Sequence, residues 1–329
     1  MELLKKLCGA YSPSGNEKTI TDLIFEEIKD YADSVYKDVL GNLVAVKKAD
    51  SSFENPKKIM LAAHCDEIGA VVTFIEDNGF LRFSPVGGVN AIFSLYQRVE
   101  FKNGLTGIVS YEEDIDSVKN VTFSKMFIDI GAKSKEEAEK MVKAGDFASF
   151  KGEFSSNGTR IFSKALDNRA GVYVLIKTLK SIKTTQNELY FVFTSQEEVG
   201  LRGARVSAFD IMPDIAISVD VTDTGDTPNC KRSVVKLSGG AAIKVKDSSV
   251  ICDSDVRLSL EKCAEENNIP FQCEVLAFGG TDAGAIHLTK SGVKTGGVSI
   301  PVRYIHSTCE CADFEDINAC VNLLANYLK

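Results

Sequence analysis

Several apolar runs of this chain end in a histidine or a carboxylate, and this pattern limits the fold more than any other feature. The run KIMLAAH ends in His64, IAISVD ends in Asp220, and VFTSQEE ends in Glu197 and Glu198. Continuous apolar runs of this length are typical of strands buried on both faces of a sheet. In open α/β sheets, the carboxyl ends of such strands carry binding and catalytic groups. The pattern therefore predicts a buried sheet with a polar site along one edge.

Helical patterns alternate with these runs. Strands are predicted over 188–194, 214–219, 271–276 and 294–300, and helices over 2–8, 167–181, 254–267, 281–291 and 313–328. Ser14 and Glu17 have capping-box spacing before a further helix that ends near Tyr31. This alternation predicts an α/β fold in which a mixed central sheet is covered by helices on both faces.

The segment 69–157 has a different character, because short predicted strands dominate it. Turn signals such as Asn103-Gly104 separate the strands, and one helix is predicted over 134–144. We therefore expect two domains: residues 1–68 and 158–329 form one, and 69–157 form a small β-rich domain inserted into it.

Composition excludes several classes of function. The chain carries 46 acidic and 38 basic residues, a formal charge of −8, and has no basic run, so nucleic-acid binding is not expected. It has no apolar stretch near the ~20 residues that a membrane-spanning helix needs. Its nine cysteines contain no CxxC pair, and scattered thiols without a signal peptide predict a reducing, cytoplasmic location.

The chain has three histidines, and two of them stand beside carboxylates at the ends of apolar runs. His64 is followed two residues later by Asp66, which could hydrogen-bond its far nitrogen, and His306 lies in SIPVRYIHS. Each is either a structural histidine or a metal ligand. His287 lies inside a helical pattern without partner residues, and we interpret it as structural.

The carboxylates also allow two interpretations. Asp167 is either the N-cap of the helix that follows or a carboxylate that bridges two metals through its two oxygens. Glu197 and Glu198 are either both solvated, or one of them binds metal while the other transfers a proton. Two different roles are plausible for neighbours because adjacent side chains point in different directions. Because such residues follow several separate apolar runs, we favour a metal site, and its imidazole and carboxylate donors suit Zn²⁺, Co²⁺ or Mn²⁺.

Six motifs resemble those of metallopeptidase family 42 and occur in the same order. They are AHCDEIG, ALDNRAG, QEEVGLRGA, SVDVTDTGDTP, GGTDAGAIH and PVRYIHS, and the similarity covers nearly the whole chain. The family contains glutamyl, leucyl, lysyl and deblocking aminopeptidases, many of which assemble as tetrahedral dodecamers built from dimers. The resemblance implies a zinc-peptidase-like fold and a dimerisation role for the inserted domain.

The resemblance also implies the roles of the site residues. Two divalent metal ions are expected, Zn or Co with Mn as a third option, held by His64, Asp167 and Asp220 on one side and by Asp167, Glu198 and His306 on the other. Glu197 would be the general base and then the acid that protonates the leaving amine, and Asp66 would orient His64. A cis peptide is expected between Asp167 and Asn168.

The sequence therefore predicts a metal-dependent aminopeptidase that acts on peptides with a free N-terminus and assembles as a homo-oligomer. The alternatives are a carboxypeptidase or N-acyl amino acid deacylase with similar ligands, and a glycoside hydrolase, a name that some relatives have carried. The chain has no Trp for a sugar platform. Two departures from the family are Cys65, where Met is usual, and the absence of a PPH segment near residues 111–120.

Overall fold

The computed structural model describes residues 1–329. Its strands are β1 (Ser34–Lys37), β2 (Leu43–Lys47), β3 (Lys58–His64), β4 (Gly69–Ile75), β5 (Leu81–Val86), β6 (Arg98–Phe101), β7 (Thr106–Tyr111), β8 (Met126–Asp129), β9 (Phe147–Phe150), β10 (Ser155–Asn157), β11 (Arg160–Ser163), β12 (Glu188–Thr194), β13 (Ile215–Asp223), β14 (Ala241–Lys246), β15 (Phe271–Val275), β16 (Lys294–Arg303) and β17 (Glu310–Asp313). Its α-helices are α1 (Glu2–Gly9), α2 (Lys18–Ile28), α3 (Ala91–Ser94), α4 (Lys135–Glu139), α5 (Leu166–Ser181), α6 (Arg202–Ile211), α7 (Ser254–Glu266), α8 (Ala283–Ile286) and α9 (Phe314–Tyr327). None of these helices has the length and apolar character that crossing a membrane requires.

The central sheet has eleven strands and a parallel middle. The strand order is β1-β2-β12-β3-β13-β16-β17-β11-β10, and β14 pairs with β15 and β16. Strands β12, β3, β13 and β16 pair in parallel, whereas β2 and β17 join this group antiparallel. The predicted mixed sheet is confirmed, and the parallel strands place their carboxyl ends along one edge.

Helices cover both faces of the sheet, as predicted. Along β3, Ile59, Leu61 and Ala63 pack into the larger hydrophobic core, to which α1, α2, α5, α7 and α9 contribute. The intervening Met60 and Ala62 pack into a second core with residues of α6 and α8. Because successive side chains of a strand point to opposite faces, a continuous apolar run serves both cores.

The same alternation positions the first polar residues of the site. Ser218 of β13 pairs with Ala62 of β3, so Asp220 lies level with His64 two residues further along. His64 is two residues after Ala62, and Asp220 is two residues after the partner of Ala62, Ser218. Because side chains alternate along a strand, both side chains lie on the face of the sheet that Ala62 and Met60 occupy. Two adjacent parallel strands therefore present a histidine and an aspartate side by side.

The β-rich segment forms a closed barrel with the strand order β4-β5-β8-β7-β6-β9. Its interior has its own hydrophobic core of fifteen buried residues, among them Val72, Val99 and Ile128. Closure leaves no free strand edge, which allows six short strands to form a stable unit. The barrel follows β3 and precedes β10 in the chain, so it is inserted between parts of the central sheet.

Three local predictions were wrong. The helix predicted over 134–144 is limited to Lys135–Glu139, and the one predicted over 281–291 is limited to Ala283–Ile286. The capping box does not form, because α2 has no side-chain cap and the Ser14 hydroxyl donates a hydrogen bond to Asp66 instead. In the last case, a tertiary contact at the site replaces a local one.

Candidate active site

Polar side chains from five separate segments converge beyond the carboxyl ends of the parallel strands. The segments are the end of β3, the first turn of α5, the loop after β12, the middle of β13 and the loop after β16. They line one cavity of about 1190 Å³, and they contribute the predicted metal ligands and general base: His64, Asp167, Glu197, Glu198, Asp220 and His306. The structure therefore brings all six of these side chains together.

Two groups of potential metal ligands share one carboxylate. The donor atoms of His64, Asp167 and Asp220 all lie within 4.8 Å of one another, and so do those of Asp167, Glu198 and His306. Asp167 Oδ1 is 3.0 Å from His64 Nε2, whereas Asp167 Oδ2 is 3.2 Å from His306 Nε2. The two oxygens of one side chain thus face two different imidazoles, which is the arrangement that a bridging ligand needs.

Backbone geometry directs Asp167 into the cavity. Its φ of −78° and ψ of 106° are not helical. The side chain that accepts from an N–H group of the first turn is that of Asn168, so Asn168 rather than Asp167 caps the helix. The Asp167–Asn168 peptide is cis. The Asn168 side chain donates to Val219 O (2.8 Å) in β13 and accepts from Gly171 N (3.0 Å). These bonds fix the start of α5 against the strand that carries Asp220.

Asp66 holds the backbone that carries two other site residues. Its Oδ1 accepts a hydrogen bond from Glu197 N (3.0 Å), and its Oδ2 accepts from Glu198 N (3.2 Å) and from Ser14 Oγ (2.6 Å). His64 Nδ1 lies 3.5 Å from Asp66 Oδ1 and 3.3 Å from the Asp66 backbone oxygen. Asp66 is therefore close to His64, as the resemblance implies, but its shortest contacts orient the glutamate loop.

His306 is held by a loop of the inserted barrel segment. Its Nδ1 lies 3.0 Å from Gly88 O, while its Nε2 lies 3.2 Å from Glu198 Oε1. A Cβ at position 88 would lie 2.6 Å from the imidazole ring, so only glycine permits this approach. Sequence reasoning missed Gly88, because nothing local relates it to a residue 218 positions away.

The ionisation of these groups reflects burial and crowding of like charge. Burial raises the pKa of Glu197, and the nearby Asp220 adds to this rise. Burial lowers the pKa of His64, but Glu197 and Asp220 outweigh it, so the net shift is upward. For His306, burial is outweighed by Glu198 and Asp167, and the pKa rises to about 12.

This charge distribution fits divalent cations. Within 4 Å, the ion-pair partners of Asp167, Glu197, Glu198 and Asp220 are histidines rather than Lys or Arg side chains. Buried carboxylates without such a partner are costly unless a cation compensates them. The donors are carboxylate oxygens and imidazole nitrogens, which suit Zn²⁺, Co²⁺ or Mn²⁺. The residues present therefore fit a pair of divalent metal ions.

Two further residues named in the sequence analysis, His287 and Cys65, do not belong to the two groups of potential metal ligands. His287 Nδ1 lies 2.9 Å from Ala283 O in the preceding helical turn, which matches its structural interpretation. Cys65 is buried in the larger hydrophobic core, on the face of the sheet opposite His64. Its thiol thus points away from the potential metal ligands, as expected for the neighbour of His64 in a strand.

A mixed α/β sheet with paired histidine–carboxylate clusters at the ends of its parallel strands is the arrangement of a metallohydrolase. Residues 41–323 match the model of the Peptidase M42 family, described as M42 glutamyl aminopeptidase. The chain therefore belongs to this family and is a hydrolase that acts on peptide bonds.

Individual relatives agree with this assignment along the whole chain. A candidate aminopeptidase from Acetivibrio thermocellus is 57% identical over 323 residues, which cover 98% of this chain and 96% of the relative. An aminopeptidase structure from the archaeon Desulfurococcus kamchatkensis is 41% identical, with a TM-score of 0.94 and coverage of 99% of this chain and 93% of that one. The Pyrococcus horikoshii TET1 peptidase, described as assembling into a tetrahedron or a large octahedral shell, is 35% identical, with a TM-score of 0.88 and coverage of 99% and 98%.

Proposed function

We propose that this protein is an aminopeptidase that depends on two divalent metal ions and removes N-terminal residues from peptides. The observation that carries the proposal is the position of Asp167, whose two carboxylate oxygens face His64 and His306 separately at 3.0 and 3.2 Å. Asp220 completes one ligand group and Glu198 completes the other. A single-metal site would need only one of these two groups.

The proposed mechanism assigns proton transfer to Glu197. Metal ions bound at the two groups would lower the pKa of a water molecule and polarise the scissile carbonyl. The Glu197 carboxylate accepts a proton from the attacking water and then donates it to the leaving amine nitrogen as the peptide C–N bond breaks. Its backbone N–H is fixed by Asp66, and its Oε2 lies 3.9 Å from His64 Nε2, at the edge of the ligand groups.

The lining of the cavity also supports a preference for substrates with a free N-terminus. Carboxylates line it together with four basic residues (Lys231, Arg232, Lys244 and Arg303), and none of these basic side chains forms an ion pair with Glu197, Glu198 or Asp220. The protonated α-amine of a peptide would be attracted to these carboxylates in a partly desolvated site. An acylated N-terminus has no such charge, and we expect it to bind poorly.

A substrate panel tests the proposal. The purified protein is stripped with a chelator, restored with Co²⁺, Zn²⁺ or Mn²⁺, and assayed on unblocked aminoacyl-anilides with acidic, aliphatic and basic residues. Matched N-acetylated compounds test for a deacylase, peptides with a free C-terminus but a blocked N-terminus test for a carboxypeptidase, and carboxymethylcellulose tests for a glycoside hydrolase. We expect metal-dependent cleavage of the unblocked compounds only. Cleavage of a blocked substrate, or activity that survives the chelator, would contradict the proposal.

We further propose that residues 69–157 form a domain of their own, separate from the domain of residues 1–68 and 158–329, and provide the contact between subunits. The barrel exposes large apolar side chains, including Ile92, Tyr96 and Ile108, and the Pyrococcus horikoshii relative is described as a tetrahedral or octahedral assembly. We expect a dodecamer built from dimers. Native mass spectrometry at micromolar concentration tests this expectation, and a monomer would contradict it.

A further inference from the structure

Glu310 is a buried glutamate at the start of β17 that contacts the backbone of two proposed ligands. Its Oε2 accepts a hydrogen bond from Asp167 N (3.0 Å), and its Oε1 accepts from His306 N (2.9 Å). The side chain is 2% exposed, so neither bond competes with bulk water. One carboxylate therefore joins two residues that are far apart in the chain but share a ligand group.

The backbone of His306 needs such a contact. Its φ is +63°, a left-handed conformation that residues with a β-carbon rarely adopt, and Tyr304 nearby has a φ of +62°. Conformations of this kind persist where the surrounding structure holds them in place. Gly88 O holds the imidazole ring of His306, and Glu310 holds its peptide N–H.

Glu310 is itself supported on both sides by strands. It pairs with Ser163 of β11, and the next residue, Cys311, pairs with Arg303 of β16. A carboxylate on a strand paired at both edges has little freedom to move with the loop that carries His306. Its two oxygens can therefore set the distance between the backbones of Asp167 and His306.

We propose that Glu310 is a positioning residue that assembles the ligand group of Asp167, Glu198 and His306, an inference that rests on the proposed metal-dependent function. It acts by holding two peptide N–H groups, so that Asp167 Oδ2 and His306 Nε2 stay 3.2 Å apart. Glu310 affects the group of His64, Asp167 and Asp220 less, because it contacts only one member of that group, Asp167.

The substitution Glu310→Gln tests the geometry with little change in volume. The amide of Gln has one acceptor oxygen, so it can receive one of the two N–H groups and turns its own donor towards the other. Glu17→Gln is a matched control, because Glu17 is also buried and also accepts two backbone N–H groups, from Gly15 and Gln196. Both of these bonds go to the single atom Oε1, so the amide can keep them.

The primary readout is Co²⁺ binding to the metal-free proteins, followed by visible absorption and calorimetry. We expect two sites in the wild type and in Glu17→Gln, whereas in Glu310→Gln one site weakens about 10–100-fold and the other is retained. The kcat of Glu310→Gln should fall with the occupancy of the weak site and recover partly at high Co²⁺. A wild type that binds no Co²⁺ would instead refute the proposed function itself.

Wild-type affinity at both sites of Glu310→Gln, or equal weakening of both, would overturn the positioning role. If Glu310→Gln does not fold, Glu310→Asp is examined in the same way, since it keeps the charge but is too short to reach both N–H groups. Selective loss of one site in Glu310→Asp would support the proposal. Failure of both variants to fold in excess Co²⁺ would overturn it, because Glu310 would then be required for folding rather than for positioning.

Discussion

At the scale of single residues, two buried carboxylates beside the candidate site, Asp66 and Glu310, bind peptide N–H groups rather than Lys or Arg side chains. Asp66 accepts from the N–H groups of Glu197 and Glu198, and Glu310 accepts from those of Asp167 and His306. A carboxylate has two acceptor oxygens with about four lone pairs, so one side chain can fix two backbone segments at once. The loops that carry the site are therefore held by specific bonds.

Glu197 is predicted to affect turnover far more than metal binding. Replacing it with Gln removes the proton acceptor but leaves both ligand groups intact, since Glu197 belongs to neither. We expect kcat to fall by roughly 10²–10⁴-fold, with Co²⁺ stoichiometry unchanged by calorimetry. Glu188→Gln, at the opposite end of β12, is the control and should keep wild-type activity. Normal turnover by Glu197→Gln would refute the assignment of the base.

Asp226 is predicted to give the fold a pH-dependent contribution to stability. Burial raises its pKa, but hydrogen bonds from Arg303 and Leu237 N outweigh burial and bring the pKa down to about 2. Because this value is below the ~3.9 of an unfolded chain, the contribution is present above pH 4 and is lost as the pH falls towards 2.

We therefore expect Asp226→Asn to lower the free energy of unfolding at pH 7 by about 1–2 kcal/mol. The difference from the wild type should shrink between pH 4 and pH 2.5 in urea titrations. Asp255→Asn, which removes an exposed pair with Lys294, is the control and should change little at any of these pH values. If the free energy of unfolding of Asp226→Asn is lower than that of the wild type by the same amount at every pH, packing rather than charge causes the difference.

At the scale of elements, prediction from sequence succeeded where a run is continuously apolar. The strand expected over 188–194 is Glu188–Thr194, because its length and its turn signals leave one interpretation. The helix expected over 281–291 ends at Ile286, and beyond it the backbone forms turns, with hydrogen bonds from Thr289 N to Ile286 O and from Gly292 N to Thr289 O. Strand β14 (Ala241–Lys246) was missed because it contains a buried Lys244, paired with Glu274 and Asp247, that interrupts the apolar pattern.

The residues of the candidate site could also be predicted only in part from the sequence. The proposed ligands and the proposed base were found because each follows an apolar run or belongs to a family motif. Ser14, Gly88 and Glu310 were missed, although each contacts a site residue, because their partners are distant in the chain or are backbone atoms. Pattern and spacing report side chains along one element, whereas these contacts arise only when separate elements pack together.

Gly171 in α5 is predicted to be required for the contact between this helix and β13. A Cβ there would lie 2.2 Å from Asn168 Oδ1 and 2.7 Å from Val219 O, so the helix or the strand must shift. We expect Gly171→Ala to lower the free energy of unfolding by about 1–3 kcal/mol and to reduce activity, since Asp167 and Asp220 lie in these two elements. Gly9→Ala, where nothing lies within 4 Å, is the control, and both variants are compared by urea titration. Equal stability of the two would contradict the predicted clash.

At the scale of the whole molecule, metal removal is predicted to lower thermal stability. The two ligand groups join residues from 64 to 306, so bound ions would add direct links between segments that hydrogen bonds and packing already hold together. At a free metal concentration ~1,000 times the Kd, one site contributes ~4 kcal/mol. For a chain of this size this corresponds to a change in Tm of roughly 5–15 °C. Scanning calorimetry with chelator, and then with excess Zn²⁺, measures the shift, and an unchanged Tm would contradict metal binding at these groups.

The wide spacing of the site residues also has a consequence for biosynthesis. On the proposed assignment, the first ligand group is complete in the chain once Asp220 has been made, but the second requires His306 and the strand that carries Glu310. A nascent chain therefore contains most of its core residues before it contains a competent catalytic centre. On this assignment, hydrolysis that needs both ligand groups requires translation to pass His306 and Glu310, so the chain acquires its complete centre only near the end of its synthesis.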